Sequence, residues 1–128
     1  MKPEKSLLIG VSDVFFYTKI RDAFRPHGYA LERLRKHEDI IEKVSSLQPL
    51  VVVLNMNDEQ LNAPAALQTL KANEALKHIP VLAFANHEEV ETWRQARELG
   101  INKIVSRNEF SARTLALVEE LIGTGQVS

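Results

Sequence analysis

The chain is 128 residues long, with 45% hydrophobic and 26% charged residues, which suits one soluble domain built around one hydrophobic core. A formal net charge of −1 leaves no overall basic field to favour nucleic acid or an anionic membrane surface. The absence of cysteine excludes disulfides, thiolate metal sites and thiol catalysis, and suits a reducing cytoplasm.

The opening Met1-Lys2-Pro3-Glu4-Lys5 leads into a short apolar run at residues 7–11, which reads as a buried strand. It is too short for a signal-peptide core or a membrane span, so a soluble, cytoplasmic protein is expected. A helix is expected over residues 15–24, where Phe16, Ile20 and Phe24 recur at i, i+4 on one face. Pro26 and Gly28 end it, and residues 29–34 read as a weaker strand. The nearby Arg33, Arg35 and Lys36 are read as a solvated strand edge rather than a phosphate-binding patch.

A helix over residues 39–47 turns Ile40, Ile41, Val44 and Leu47 inward and closes at Pro49. Residues 50–54 form the clearest buried strand, apolar throughout and β-branched in the middle. A loop from Asn55 to Asn62 follows, then a helix with Ala66, Leu67 and Leu70 on its inner face. Residues 80–84 read as a fourth strand with Pro80 at its entrance, where proline is tolerated.

Residues 87–99 read as a helix stopped by Gly100. Its inward positions are read as Val90, Arg94 through its stem, and Ala96 or Arg97, which turns Trp93 sideways. Residues 101–105 form a fifth strand, and a last helix follows Ser111 as N-cap. One domain is expected over residues 1–123, with residues 124–128 as a frayed tail. Five β-α units in alternation imply a parallel α/β sheet covered by helices on both faces. The right-handed crossover rule applies to each unit, but periodicity alone leaves the strand order open.

Four stretches, in order, resemble the receiver domain of two-component response regulators. Leu8-Ile9-Gly10-Val11-Ser12-Asp13 is similar to the family's first strand with its terminal acidic pair. Gln48-Pro49-Leu50-Val51-Val52-Val53-Leu54-Asn55-Met56 is similar to the third strand, which ends in the phosphoacceptor aspartate. His78-Ile79-Pro80-Val81-Leu82-Ala83-Phe84-Ala85 is similar to the fourth, which ends in Thr or Ser. Ala96 to Arg107 is similar to the segment that leads to an essential lysine. The resemblance implies a flavodoxin-like (βα)5 fold of strand order 2-1-3-4-5, with its site at the carboxyl edge of the sheet.

Family chemistry transfers a phosphoryl group to the aspartate and needs Mg²⁺ and a cation to neutralise it. Carried over residue by residue, that site is degenerate here. Asn55 stands at the phosphoacceptor position, Ser12 at the first acidic position, Ala85 at the Thr/Ser position and Arg107 at the lysine position; only Asp13 keeps its acid. A carboxamide is no nucleophile for acyl phosphate formation, and one carboxylate with waters holds Mg²⁺ weakly. Arg for Lys keeps the charge but changes its geometry and hydration.

The resemblance therefore implies a pseudo-receiver: a non-enzymatic, phosphorylation-independent signalling or adaptor module with no cofactor and no metal. Its partners are expected to be proteins, a histidine kinase or other signalling protein or a second copy of the chain, rather than nucleic acid or membrane. The partner face is placed on helix four, strand five and the last helix, with Trp93 and Ile104 as the patch; the other reading of Trp93 is partly buried packing with its indole N–H reaching water. Asp13 is read as an ion pair with Arg107 across the vacated pocket or as a solvated acid, with retained metal binding as the sharper alternative, and Asp58 as a loop acid facing water.

Three rival readings stand beside this one. One is a small-ligand or ion sensor lined by Asp13, Asn55, Asn86, His87 and Arg107, and another is phosphorylation at a non-standard residue such as Asp58. The third is a flavoprotein; the glycines form no phosphate-cradling loop, and His27, His37 and His78 have no metal-ligand spacing.

Overall fold

The structure is a computed structural model that describes residues 5–126, with side chains to Gly123. Its elements are β1 (Lys5–Gly10), α1 (Val14–Phe24), β2 (Tyr29–Arg33), α2 (Ile40–Leu47), β3 (Val51–Asn55), α3 (Ala63–Ala72), β4 (Val81–Ala85), α4 (Val90–Glu98), β5 (Lys103–Ser106), α5 (Arg107–Ala112) and α6 (Thr114–Gln126). All strand pairs are parallel, and the sheet order is β2-β1-β3-β4-β5. This is the expected architecture.

The side-chain alternation of each strand feeds two separate core layers. Leu8, Val52, Leu54, Val81 and Ala83 face α2, α3 and α4, packing with Ile40, Val44, Leu67, Leu70 and Ala96. Leu7, Ile9, Val51, Val53, Leu82, Phe84 and Val105 face the other way, onto Ile20 and Phe24 of α1, Phe110 of α5, and Leu117 and Val118 of α6. Every residue of β3 and β4 is buried, as a central strand covered on both faces requires.

Local chemistry places the helix ends. The Asp13 carboxylate accepts from the Phe15 and Phe16 amides and starts α1. Asn62 caps α3 from a left-handed conformation, with Pro64 in the first turn. Gly100 leaves α4 at φ 90°, a conformation that costs glycine little.

The strands shift by one or two residues from the sequence reading, β5 starting at Lys103, and the larger departures fall at three helix boundaries. α4 starts at Val90, because residues 86–89 form turns closed by Glu89 N–H to Asn86 O and Val90 N–H to Glu88 O. The expected last helix is two helices, and Ser111 lies inside the first. Ser106 is the cap, its Oγ accepting from the Glu109 amide at 3.0 Å. The break falls at Arg113, where the Thr114 hydroxyl donates to the Phe110 carbonyl at 2.6 Å and competes for a helical acceptor. α6 runs to Gln126, beyond the expected domain end at residue 123; residues 1–4 and 127–128 lie outside the described residues.

The inward face of α4 is also different. Val90 is 71% exposed, whereas Ala96 is fully buried and Trp93 and Leu99 pack partly buried against the α2–α4 core layer. Arg94 turns outward instead, pairing with Glu91 and Glu98. Burying the indole removes far more apolar surface from water than burying valine, which turns this face inward.

Candidate functional site

Parallel strands bring Ser12, Asn55, Ala85 and Arg107 to one edge of the sheet, because each lies at or just beyond the carboxyl end of β1, β3, β4 or β5. Asn55 closes β3 and is 9% exposed. Its Oδ1 accepts from the Asn57 amide at 3.0 Å, a local turn that ties the side chain to its own loop. Ala85 closes β4 opposite Ser106, presents a methyl group and is buried.

Arg107 and Asp13 do not pair. Asp13 is engaged as the α1 cap. The Arg107 guanidinium lies 4.3 Å from the centre of the Phe16 ring and 5.7 Å from that of Phe84. These rings belong to one aromatic wall: Phe84 stacks on Phe110 at 4.4 Å, and Phe16 meets Phe84 edge-on at 5.5 Å. A planar, weakly hydrated guanidinium gains from such faces in a way an ammonium would gain less, so the wall takes the cation that the ion-pair reading assigned to Asp13.

Asp58 is not a water-facing loop acid. It is 9% exposed and lies in the turn directly after β3, its amide donating to the Asn55 carbonyl at 3.1 Å. Ser12 N–H donates to its Oδ2 at 2.6 Å and Ser12 Oγ–H to its Oδ1 at 2.8 Å, while Leu61 N–H donates to Oδ1 at 3.1 Å. Hydrogen bonds to a charged acceptor contribute about 1.5–3 kcal/mol each. Leu61 adds to the junction: its side chain is fully buried, and its carbonyl accepts from the His37 amide at 3.0 Å.

On the opposite side the same loop is tied to β4 and α4. Asn57 Oδ1 accepts from the Asn86 amide at 2.7 Å, and the Trp93 indole Nε1–H donates to the Asn86 carbonyl at 3.0 Å. Trp93 thus faces the edge of the site through a backbone bond. Outside it, the Arg97 guanidinium lies 5.5 Å over its ring. A shallow groove there is lined by His87, Val90, Trp93, Arg94, Arg97 and Glu98. Ile104 packs partly buried against the same core layer as Trp93.

The donor set does not fit a divalent ion. Ser12 and Asn55 offer no charge, Asp13 caps α1 through Oδ1 and is the one acid left with an open oxygen, and the Asp58 oxygens accept from Ser12 and Leu61. Among the described residues no group of three or more His, Cys, Asp or Glu side chains is placed to hold a metal. Nor, among the described residues, is any helix long and apolar enough to cross a membrane.

No family model and no curated protein matches the sequence. Solved structures match it closely in shape. The signal receiver domain of a signal transduction histidine kinase from Syntrophus aciditrophicus superposes with a TM-score of 0.85 at 15% identity, covering 97% of this chain and 94% of that one. The chain has the receiver fold.

Further structures carry the same receiver fold. A CheY-like response regulator receiver domain protein from Methanospirillum hungatei matches with a TM-score of 0.81 at 12% identity, over 95% of this chain and 96% of that one. The receiver domain of a sensor histidine kinase from Pseudomonas aeruginosa, solved with a magnesium ion coordinated in its active-site cleft, matches with a TM-score of 0.80 at 14% identity, over 93% of this chain and 98% of that one.

Sequence reading named Ser12, Asn55, Ala85 and Arg107, and the fold brings them to one edge. It missed the part that Asp58, Asn57 and Leu61 take in joining that edge together. The available signal was Asn55-Met56-Asn57-Asp58 directly after an apolar strand, since Asn and Asp there bond backbone amides and order a turn.

Proposed function

We propose that this protein is a pseudo-receiver: a non-catalytic signalling module that acts by binding other proteins and does so without phosphorylation. The observation that carries this reading is the carboxamide of Asn55 at the end of β3, inside an intact receiver fold. An amide nitrogen in place of a carboxylate oxygen removes the nucleophile, and both nearby acids are engaged: Asp13 caps α1 through Oδ1 and Asp58 binds Ser12 and Leu61. Asp58 has the required chemistry, but its oxygens accept three hydrogen bonds and an acyl phosphate there would break them. The ligand-sensor alternative loses two lining groups, Asp13 to the α1 cap and Arg107 to the aromatic wall.

The face formed by α4, β5 and α6 is the partner surface in this reading, with Trp93 and Ile104 at its core-facing side and exposed Val90 beside them. Partners are signalling proteins of the two-component type, a class suggested by the matching receiver of a histidine kinase. Such a role places the protein in the cytoplasm.

An NMR titration tests the proposal. Beryllofluoride with Mg²⁺ is expected to leave the amides of Asn55 to Leu61 in place, with at most uniform ionic-strength shifts. Saturable shifts concentrated on that segment would overturn it.

A further inference from the structure

The loop from Asn55 to Leu61 is bound on both flanks by groups of this chain alone. Toward β1, the Asp58 carboxylate receives the backbone and hydroxyl protons of Ser12, and the Leu61 amide fixes the same carboxylate from within the loop. Gly10 reinforces this flank: a Cβ there would meet Leu54 Cδ2 at 2.6 Å and Leu61 Cδ2 at 3.0 Å, so the loop packs directly on the bare backbone of β1. Toward β4, Asn57 Oδ1 receives the Asn86 amide, and Asn86 in turn holds the Trp93 indole through its carbonyl.

We infer that Asp58 is an internal clasp, which joins β1 to the β3–α3 loop in place of a bound cation and thereby holds Trp93 and the α4 face in one arrangement. A carboxylate bridging two loops through Ser12 does electrostatically what a divalent ion between two carboxylates does, with the signs exchanged. The negative centre is here supplied by the loop and the positive partners are N–H and O–H dipoles. Such a bridge needs no metal and no phosphoryl group, so the face is set by folding alone. The continuous path Ser12–Asp58–Asn57–Asn86–Trp93 gives the clasp a physical route to the surface, through the side chains of Ser12, Asp58, Asn57 and Trp93, the backbone step between residues 57 and 58, and the Asn86 backbone. The inference deepens the proposed function, because it rests on reading α4 as the partner face and states how that face is fixed.

Amide hydrogen exchange and the emission of Trp93, the one tryptophan in the chain, test the clasp on the full protein. Asp58→Asn sets an amide nitrogen against a donor and is expected to speed exchange at Ser12 and Leu61 by roughly ten-fold or more. Asn86 is expected to follow, and Trp93 emission to shift to the red. Ser12→Ala, which keeps the fold and the Ser12 N–H bond, is expected to give a smaller change of the same pattern, and Ser12→Thr, which keeps the hydroxyl, to restore protection. Added Mg²⁺ is expected to leave Leu61 unchanged in the wild type.

Unaltered Leu61 protection in Ser12→Ala, an opened Leu61 with Asn86 and Trp93 unmoved, or protection that rises with Mg²⁺ would each overturn the inference. If Asp58→Asn does not fold, the two Ser12 variants decide. None of these readouts uses a phosphoryl donor or a partner, so their failure is distinct from the appearance of a phosphoryl adduct, which would overturn the proposed function.

Discussion

Asn55 and an aspartate differ by one atom in shape and by a full charge in chemistry. The amide makes the hydrogen bond that a carboxylate would also make, since Oδ1 accepts from the Asn57 amide, so the turn suits either side chain. Ser12 is complementary in the same way: an acid side chain at that position would face Asp58 as a like charge, whereas the serine hydroxyl donates to it beside the backbone N–H. The two replacements are thus chemically consistent with each other and with Asp58 in its observed place.

Tyr29 provides a residue-scale prediction outside the site. It is nearly buried, its ring meets Phe24 edge-on at 5.2 Å, and its hydroxyl donates to Glu119 Oε2 at 2.9 Å. Burial first, then the Glu119 carboxylate, pushes its pKa up to about 12. The folded state therefore holds the phenolic proton more tightly than the unfolded chain. The stabilisation is complete below the ordinary tyrosine value of about 10 and is lost as pH rises toward 12. Denaturant melts across that window are expected to show falling stability in the wild type and a flatter profile in Tyr29→Phe. Parallel profiles would assign the loss to other groups.

At the scale of elements, the β1 terminus is the most demanding. Gly10 is needed for space: an added Cβ meets the Leu54 and Leu61 side chains and lies 3.2 Å from the Val53 carbonyl. Leu54 and Leu61 are both fully buried and have little room to give. Gly10→Ala is expected to cost about 1–3 kcal/mol, seen as a lower urea midpoint at unchanged slope. An unchanged midpoint would mean that β1 and the loop separate easily.

The elements also show where the sequence was legible. The apolar runs of β1, β3 and β4 have no other reading, because both faces of a central parallel strand are covered. α4 was misread because its pattern of Val90, Trp93, Arg94 and Arg97 fits more than one face, and only the competition for burial between indole and valine, together with the Glu91–Arg94–Glu98 pairing, selects one. The α5–α6 break rests on the Thr114 hydroxyl reaching the Phe110 carbonyl, a contact that periodicity does not encode. In the site, identities at strand ends could be carried over from a resemblance, whereas the Ser12–Asp58 bridge joins residues 46 apart in sequence and depends on the packed fold.

At the scale of the whole molecule, the sheet order places β1, β3 and β4 side by side, so three strand ends and their loops share one cleft whatever chemistry they carry. The chain shares the receiver fold with solved structures at 12–15% identity, and two alternating core layers hold it here. In this chain hydrogen bonds from Ser12 and Leu61 to Asp58, and from Asn86 to Asn57, join the strand ends of that cleft.

The central claim is that the cleft takes up no phosphoryl group. Intact-mass measurement of the wild-type protein after incubation with Mg²⁺ and either acetyl phosphate or a phosphorylated histidine kinase tests it directly. The account predicts a single unmodified mass throughout. A stoichiometric, hydroxylamine-labile phosphoryl adduct would contradict it, and its mapping to Asp58 would identify the clasp itself as the acceptor.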